Sequence, residues 1–267
     1  MITQIETNNN DNDNDKSHHH YQQQIQRLDQ EPYSVSVQYN PSIPIAGQPT
    51  LITIDIREKQ TGERVKEFDI LHEKLMHVII VSEDLAHFSH IHPAFERNEG
   101  IFSIYHVFPE DGIYKIWVDF KPKKGEQTLI TFKLDNGNSS THKSIYLTKE
   151  SRYTKQIDES HQVKLLIPQE IESNKPVDIT FIISDQKANP ITDLTPLMGA
   201  GGHSVIISSN LQEFLHIHPK EEVSSKWKGG PAISFSTIFP HLGLYKIWGQ
   251  FQHQGVTITA DFIVEVV

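Results

Sequence analysis

His77-Val78-Ile79-Ile80-Val81-Ser82-Glu83-Asp84-Leu85-Ala86-His87-Phe88-Ser89-His90-Ile91-His92-Pro93 returns further along the chain as His203-Ser204-Val205-Ile206-Ile207-Ser208-Ser209-Asn210-Leu211-Gln212-Glu213-Phe214-Leu215-His216-Ile217-His218-Pro219. Each copy reads as a β-hairpin. In the first, Val78-Ile79-Ile80-Val81 forms one strand, Glu83-Asp84-Leu85-Ala86 supplies a four-residue loop, and Phe88 to His92 runs back. That loop makes paired residue numbers sum to 169, which sets His92 opposite His77 and His90 opposite Ile79. Residues two apart share a face, so His77, His90 and His92 project to one side, with opposed Cβ atoms about 4.5–5.5 Å apart. In the second copy the sum is 421, and His203, His216 and His218 gather in the same way. A slip of one residue would carry His77 to the other face. Pro93 and Pro219 end their strands because proline cannot continue the ladder.

Around the histidines the copies have drifted: Met76 faces Gly202, His87 faces Glu213 and Ser89 faces Leu215. The likeness nevertheless extends well beyond the hairpin. Phe108-Pro109-Glu110-Asp111-Gly112-Ile113-Tyr114-Lys115-Ile116-Trp117 returns as Phe239-Pro240-His241-Leu242-Gly243-Leu244-Tyr245-Lys246-Ile247-Trp248, and Pro49 and Pro176 open strands at matching places. This is a whole-domain duplication, since solenoid repeats are far shorter. Strand patterns separated by Gly, Pro, Asn or Asp, with no convincing helical periodicity, predict an all-β chain of two tandem antiparallel β-sandwiches, immunoglobulin-like or cupredoxin-like. Gly112-Ile113-Tyr114 and Gly243-Leu244-Tyr245 have the form of a tyrosine corner, in which a hydroxyl pins a crossover. The expected division is a disordered low-complexity tail at 1–30, one sandwich at 31–148, a polar linker at 149–161 and a second sandwich at 162–267.

Composition narrows the function. A length of 267 residues accommodates two domains of ordinary size, and a net charge of −10 argues against nucleic acid or an anionic membrane as partner. No apolar run approaches the roughly 18–20 residues that span a bilayer. Met1-Ile2-Thr3-Gln4-Ile5-Glu6 has no basic segment leading into an apolar core, so no secretory signal is read and a cytoplasmic location is expected. The chain has no cysteine, hence no disulfide and no thiolate ligand.

The metal candidates are therefore His77, His90 and His92 in one half and His203, His216 and His218 in the other. Three neutral imidazoles make an open site for zinc or copper, with further positions left for water or another ligand. His72, Met76, His106 and Met198 are candidate additional ligands, while His87, His142, His161 and His253 have no counterpart in the other copy and are expected at the surface. Glu96 and Glu222 follow the second histidine of each pair by four residues, giving HxHxxxE twice, a pattern that resembles the first metal motif of cupins. No activated nucleophile, phosphate-binding glycine loop or catalytic carboxylate pair is evident.

On His77, His90, His92, Pro93, Phe108, Pro109, Gly112, Tyr114 and their second-half counterparts, the chain resembles YtkA-like and other copper-associated β-sandwich proteins. That resemblance implies secreted modules that handle heavy metals. The leading expectation is a two-domain zinc- or copper-binding protein for sequestration, delivery or sensing. The alternatives are a cupin-like metalloenzyme using His90, His92 and Glu96, and a metal-free structural or adhesive tandem.

Overall fold

In a computed structural model of the chain, residues 32–71, 73–123, 125–137 and 147–267 are described. The low-complexity tail with its His18-His19-His20 run, together with His72 and His142, lies outside the described residues. All regular structure within them is β, in four four-stranded antiparallel sheets.

The first repeat pairs β1 (Tyr33–Asn40), β2 (Pro49–Glu58), β6 (Ile101–Val107) and β5 (Ala94–Glu96) in one sheet. Its second sheet has the order β4 (Phe88–Ile91), β3 (Met76–Ser82), β7 (Ile113–Phe120), β8 (Thr128–Asp135). The second repeat follows the same plan except at the edges of one sheet. That sheet runs β14 (Ala232–Ile238), β11 (Pro176–Ser184), β10 (Gln162–Leu166), β9 (Thr154–Gln156), with β9 added beside the counterpart of β1 and no counterpart of β5 formed by the described residues. The other runs β13 (Phe214–Ile217), β12 (His203–Ser208), β15 (Gly243–His253), β16 (Val256–Val266). The polar stretch 149–161 thus contributes β9, an edge strand, to the second repeat.

Each pair of sheets closes over its own core by period-two alternation. Ile52, Ile54, Ile56 and Phe102 meet Val78, Ile80, Ile116 and Val118 in the first repeat. Ile179, Phe181 and Phe235 meet Ile206, Ile247 and Phe262 in the second. The tyrosine corners form as expected: Tyr114 Oη donates to the Glu110 carbonyl at 2.8 Å and Tyr245 Oη to the His241 carbonyl at 2.9 Å. Gly243 stands at φ +126°, where a Cβ would be strained.

A second packing event joins the repeats. Antiparallel sheets commonly leave one face to water, yet β3 and β12 are buried on both. Their outward residues form a third core in which Ile79, Val81, Leu85 and Trp117 pack with Val205, Ile207, Leu211 and Trp248. The contacts are reciprocal. Phe88 stacks on Trp248 with ring centroids 4.8 Å apart, and Phe214 stacks on Trp117 at 5.2 Å. Lys246 Nζ donates to the Leu85 carbonyl at 2.8 Å, and Lys115 Nζ donates to the Leu211 carbonyl. Leu85 and Leu211 are both held at positive φ, +59° and +60°, in their hairpin loops. The molecule is therefore four sheets deep, its two inner sheets related by an approximate two-fold.

Tyr114→Phe should lower unfolding stability by about 1 kcal/mol, the net worth of one hydrogen bond, and Tyr245→Phe by at least as much, since its hydroxyl also accepts from the His241 N–H at 3.3 Å. Tyr105→Phe, at an exposed ring, should change it by less than about 0.5 kcal/mol. Urea denaturation of the three variants checks this.

Candidate metal centre

The hairpin register is the one the loop length dictates. Ile79 pairs with His90 and Val78 with Ile91 in the first repeat, and Val205 pairs with His216 and Ser204 with Ile217 in the second. Each trio of histidines consequently shares the outward face of its sheet, at the end of the strands beyond the third core. His77, His90 and His92 form one group able to hold a metal ion, and His203, His216 and His218 form the other.

In the first trio the nitrogens are close. His77 Nδ1 lies 3.0 Å from His90 Nε2, His92 Nε2 lies 3.1 Å from His77 Nδ1, and His92 Nε2 lies 3.3 Å from His90 Nε2. Three nitrogens bound tetrahedrally at about 2.0–2.1 Å from zinc sit roughly 3.3 Å apart, so these edges already match. The second trio gathers its ligand nitrogens within 4.8 Å of one another, in a slightly wider arrangement. Its ring centroids are 5.8, 5.0 and 4.7 Å apart, against 5.3, 4.8 and 4.7 Å in the first.

Partners outside the trios decide which nitrogen faces inward. His77 Nε2 is 2.9 Å from the Leu71 carbonyl and His203 Nε2 is 2.9 Å from the Leu197 carbonyl. A carbonyl only accepts, so in each ring Nε2 carries the proton and Nδ1 turns a lone pair toward the trio. His90 Nδ1 is 2.9 Å from Gln250 Oε1, whose amide is oriented by donation from Gln250 Nε2 to Thr259 Oγ1 at 3.3 Å. With Nδ1 donating, His90 Nε2 also presents a lone pair. The lone pairs of neutral His77 and His90 therefore point at each other across 3.0 Å. Either the N–H of His92 Nε2, 3.1 and 3.3 Å away, or a cation reconciles them.

Burial opposes an added proton. Desolvation, reinforced by His90 and His77, pushes His92 down to about 2. Burial first, and then His218, hold His216 well below the ordinary histidine range. His77 and His203 are 0% exposed. Neutral imidazole is the ligating form, so the same burial that excludes a proton prepares the rings for a metal. One acid lies close behind. Asp119, opposite His77 on β7, has Oδ2 4.0 Å from His216 Nδ1, an approach longer than a hydrogen bond. Burial raises its carboxyl to about 6, with the Gln127 amide, donating at 2.9 Å to both oxygens, pulling the other way.

A family model described as a domain of unknown function, DUF8832, matches residues 26–137 and again 155–267. The chain belongs to this family. No curated protein matches the chain by sequence. Among solved structures it is similar to red sea bream transglutaminase (10% identity, TM-score 0.25, covering 89% of this chain and 31% of that one). It is also similar to the bacterial integrin-binding protein invasin (11%, 0.23, 86% and 39%) and to MtrC from Shewanella baltica OS185 (6%, 0.25, 88% and 70%). The chain spans less than a third of the transglutaminase and about two fifths of invasin.

Several side chains singled out in the sequence stand elsewhere in the two DUF8832 repeats. Met76 is a core residue, on the face of β3 opposite His77. Met198 occupies a turn at φ +49° between Leu197 and Ala200. Glu96 and Glu222 are exposed and belong to neither trio. The chain leaves the inner sheet at Pro93, and β5 pairs with β6 in the other sheet, carrying Glu96 away; the cupin-like HxHxxxE reading fails there. His161 is buried, not superficial, with Nδ1 2.8 Å from Asp158 Oδ2 and Nε2 2.8 Å from His253 Nδ1. His253 Nε2 continues to Asp193 Oδ1 at 3.0 Å. His87 is half-buried, 3.1 Å from Ser89 Oγ through Nε2. Sequence reading missed Leu71, Leu197, Asp119 and Gln250. For the leucines a signal existed, since each precedes its histidine by six residues in both copies.

His106 lies on β6, opposite Thr50 and away from the trio, its ring 5.7 Å from that of His87. Its Nε2 is buried with no hydrogen-bond partner among the described residues. Burial, with His87 adding to it, lowers His106 to about 4. An unfolded histidine titrates near 6.5, so as pH falls the unfolded chain takes up this proton first. The contribution of neutral His106 is complete above about pH 6.5 and is lost on the way down to about pH 4. His106→Thr, which copies Thr237 of the second repeat, should therefore show a smaller fall in Tm over that window than the parent, measured by thermal unfolding at a series of pH values.

Proposed function

We propose that this protein binds transition-metal ions through its two histidine trios, His77, His90 and His92 and then His203, His216 and His218. The observation that carries the reading is the convergence of His77 Nδ1, His90 Nε2 and His92 Nε2 within 3.0–3.3 Å, with the outer nitrogens of two rings committed to Leu71 and Gln250. A donor set of neutral imidazoles with no thiolate favours borderline ions, zinc or copper(II), over copper(I). Zinc is the choice in a reducing cytosol and copper(II) in an oxidising setting, the latter in keeping with the resemblance to copper-associated sandwich proteins. With three protein ligands per ion, the role that fits best is capture of the ion for sequestration, delivery or sensing.

Untagged full-length protein, with His18, His19 and His20 replaced by Ala to remove a competing run, should take up zinc or copper(II) and keep it through gel filtration, as read by elemental analysis. His90→Ala and His216→Ala should each lose ion from their own trio. Free ion at 100 times its dissociation constant adds about 2.7 kcal/mol, so chelation should lower Tm visibly. An unchanged Tm on chelation and no retained ion would sink the reading.

A further inference from the structure

The trios are not separate. His90 and His216 touch across the junction between repeats, ring centroids 5.1 Å apart and edge to face at 88°. His77 lies 5.3 Å from His216 and His90 lies 5.8 Å from His203. These distances are like those inside a trio. The supporting groups are also crossed. Gln250, which receives the Nδ1 proton of His90, belongs to the second repeat, and Asp119, behind Nδ1 of His216, belongs to the first.

The crossing has a register origin. Gln250 pairs with His203 on β15, and Asp119 pairs with His77 on β7, so the two hold equivalent positions. Each stands next to its own repeat's first histidine and reaches over to the other repeat's second. One is a neutral amide and the other an acid. Gln250, hydrogen-bonded to His90, fixes the orientation of that ring, whereas Asp119, 4.0 Å from His216 Nδ1, acts through its charge, which offsets the charge arriving with the ion.

Resting on the metal-binding reading above, we infer that the six histidines form one paired and unequal metal centre at the repeat junction. Two divalent ions sit in adjacent sites walled by His90 and His216. The trio of His203, His216 and His218, with Asp119 behind it, is the tighter and fills first. The trio of His77, His90 and His92 fills second, against the repulsion of the neighbouring ion. Asp119 and Gln250 are positioning residues; neither is a ligand. The ligand class is a pair of borderline divalent cations, and loading both sites requires the repeats to be docked.

The test is titration of the full chain, with His18, His19 and His20 replaced by Ala, using copper(II) alone and electron paramagnetic resonance as readout. The first equivalent should give one mononuclear spectrum. The second should bring dipolar broadening and a half-field line, because the two spins lie in adjacent sites. His92→Ala and His218→Ala should each bind one ion and show no coupling. Asp119→Asn should weaken the first step by about 10-fold or more, because an anion 4.0 Å from His216 Nδ1 no longer faces the arriving divalent ion, and draw the two steps together. Gln250→Leu should weaken only the second step. Two ions bound with simply additive spectra would overturn the pairing while leaving metal binding intact. An unchanged first step in Asp119→Asn, with the variant's Tm near that of the parent, would overturn the inequality. Absence of any uptake would overturn the metal reading itself, and the pairing with it.

Discussion

Two sheets of this protein are apolar on both faces, and burying the outer face is the constraint on which everything else rests. The inner faces are consumed within each sandwich. The outer faces have only one another, and eight buried side chains from Ile79 to Trp248 meet there. Each such side chain contributes about 1.5–3 kcal/mol when fully buried. That sum exceeds what it costs to take several imidazoles out of water, provided the imidazoles keep polar partners. The histidines lie on the same face as the apolar contact, one strand-end further along, so docking dries them and brings them together.

From there the chemistry follows by small steps. Strand pairing sets the spacing of the rings, as it must when opposed residues share a pleat. Leu71 and Leu197 each place a carbonyl at the outer nitrogen of the most buried ring in their trio. With the tautomer fixed, the inward nitrogen has a lone pair, and burial keeps a proton from claiming it. Each step needs only backbone geometry and desolvation.

Much of this was legible in the chain. A four-residue loop between strands fixes the hairpin register, and the register fixes the shared face of His77, His90 and His92. Tyr114 and Tyr245 announced their crossover by position relative to Gly112 and Gly243. What was not legible needed knowledge of which surfaces meet. Val78-Ile79-Ile80-Val81 is apolar at every position, which signals a strand buried on both sides but does not name its cover. Asp119 and Gln250 look like ordinary polar residues until the opposite repeat is in place. The spacing of Glu96 misled because Pro93 redirects the chain into the other sheet, and a motif read along a line cannot register that change of layer. His161 and His253 are brought together from positions far apart in sequence, so their pairing left no local pattern.

The approximate two-fold between the inner sheets carries a last implication. In a dimer of identical chains, a self-complementary interface presents the same residue on both sides of its axis, so an acid on one side demands an acid on the other. Joining the halves in one polypeptide lifts that obligation. Asp119 and Gln250, facing the junction from equivalent positions, are what such freedom looks like: a symmetric scaffold whose middle has acquired a direction.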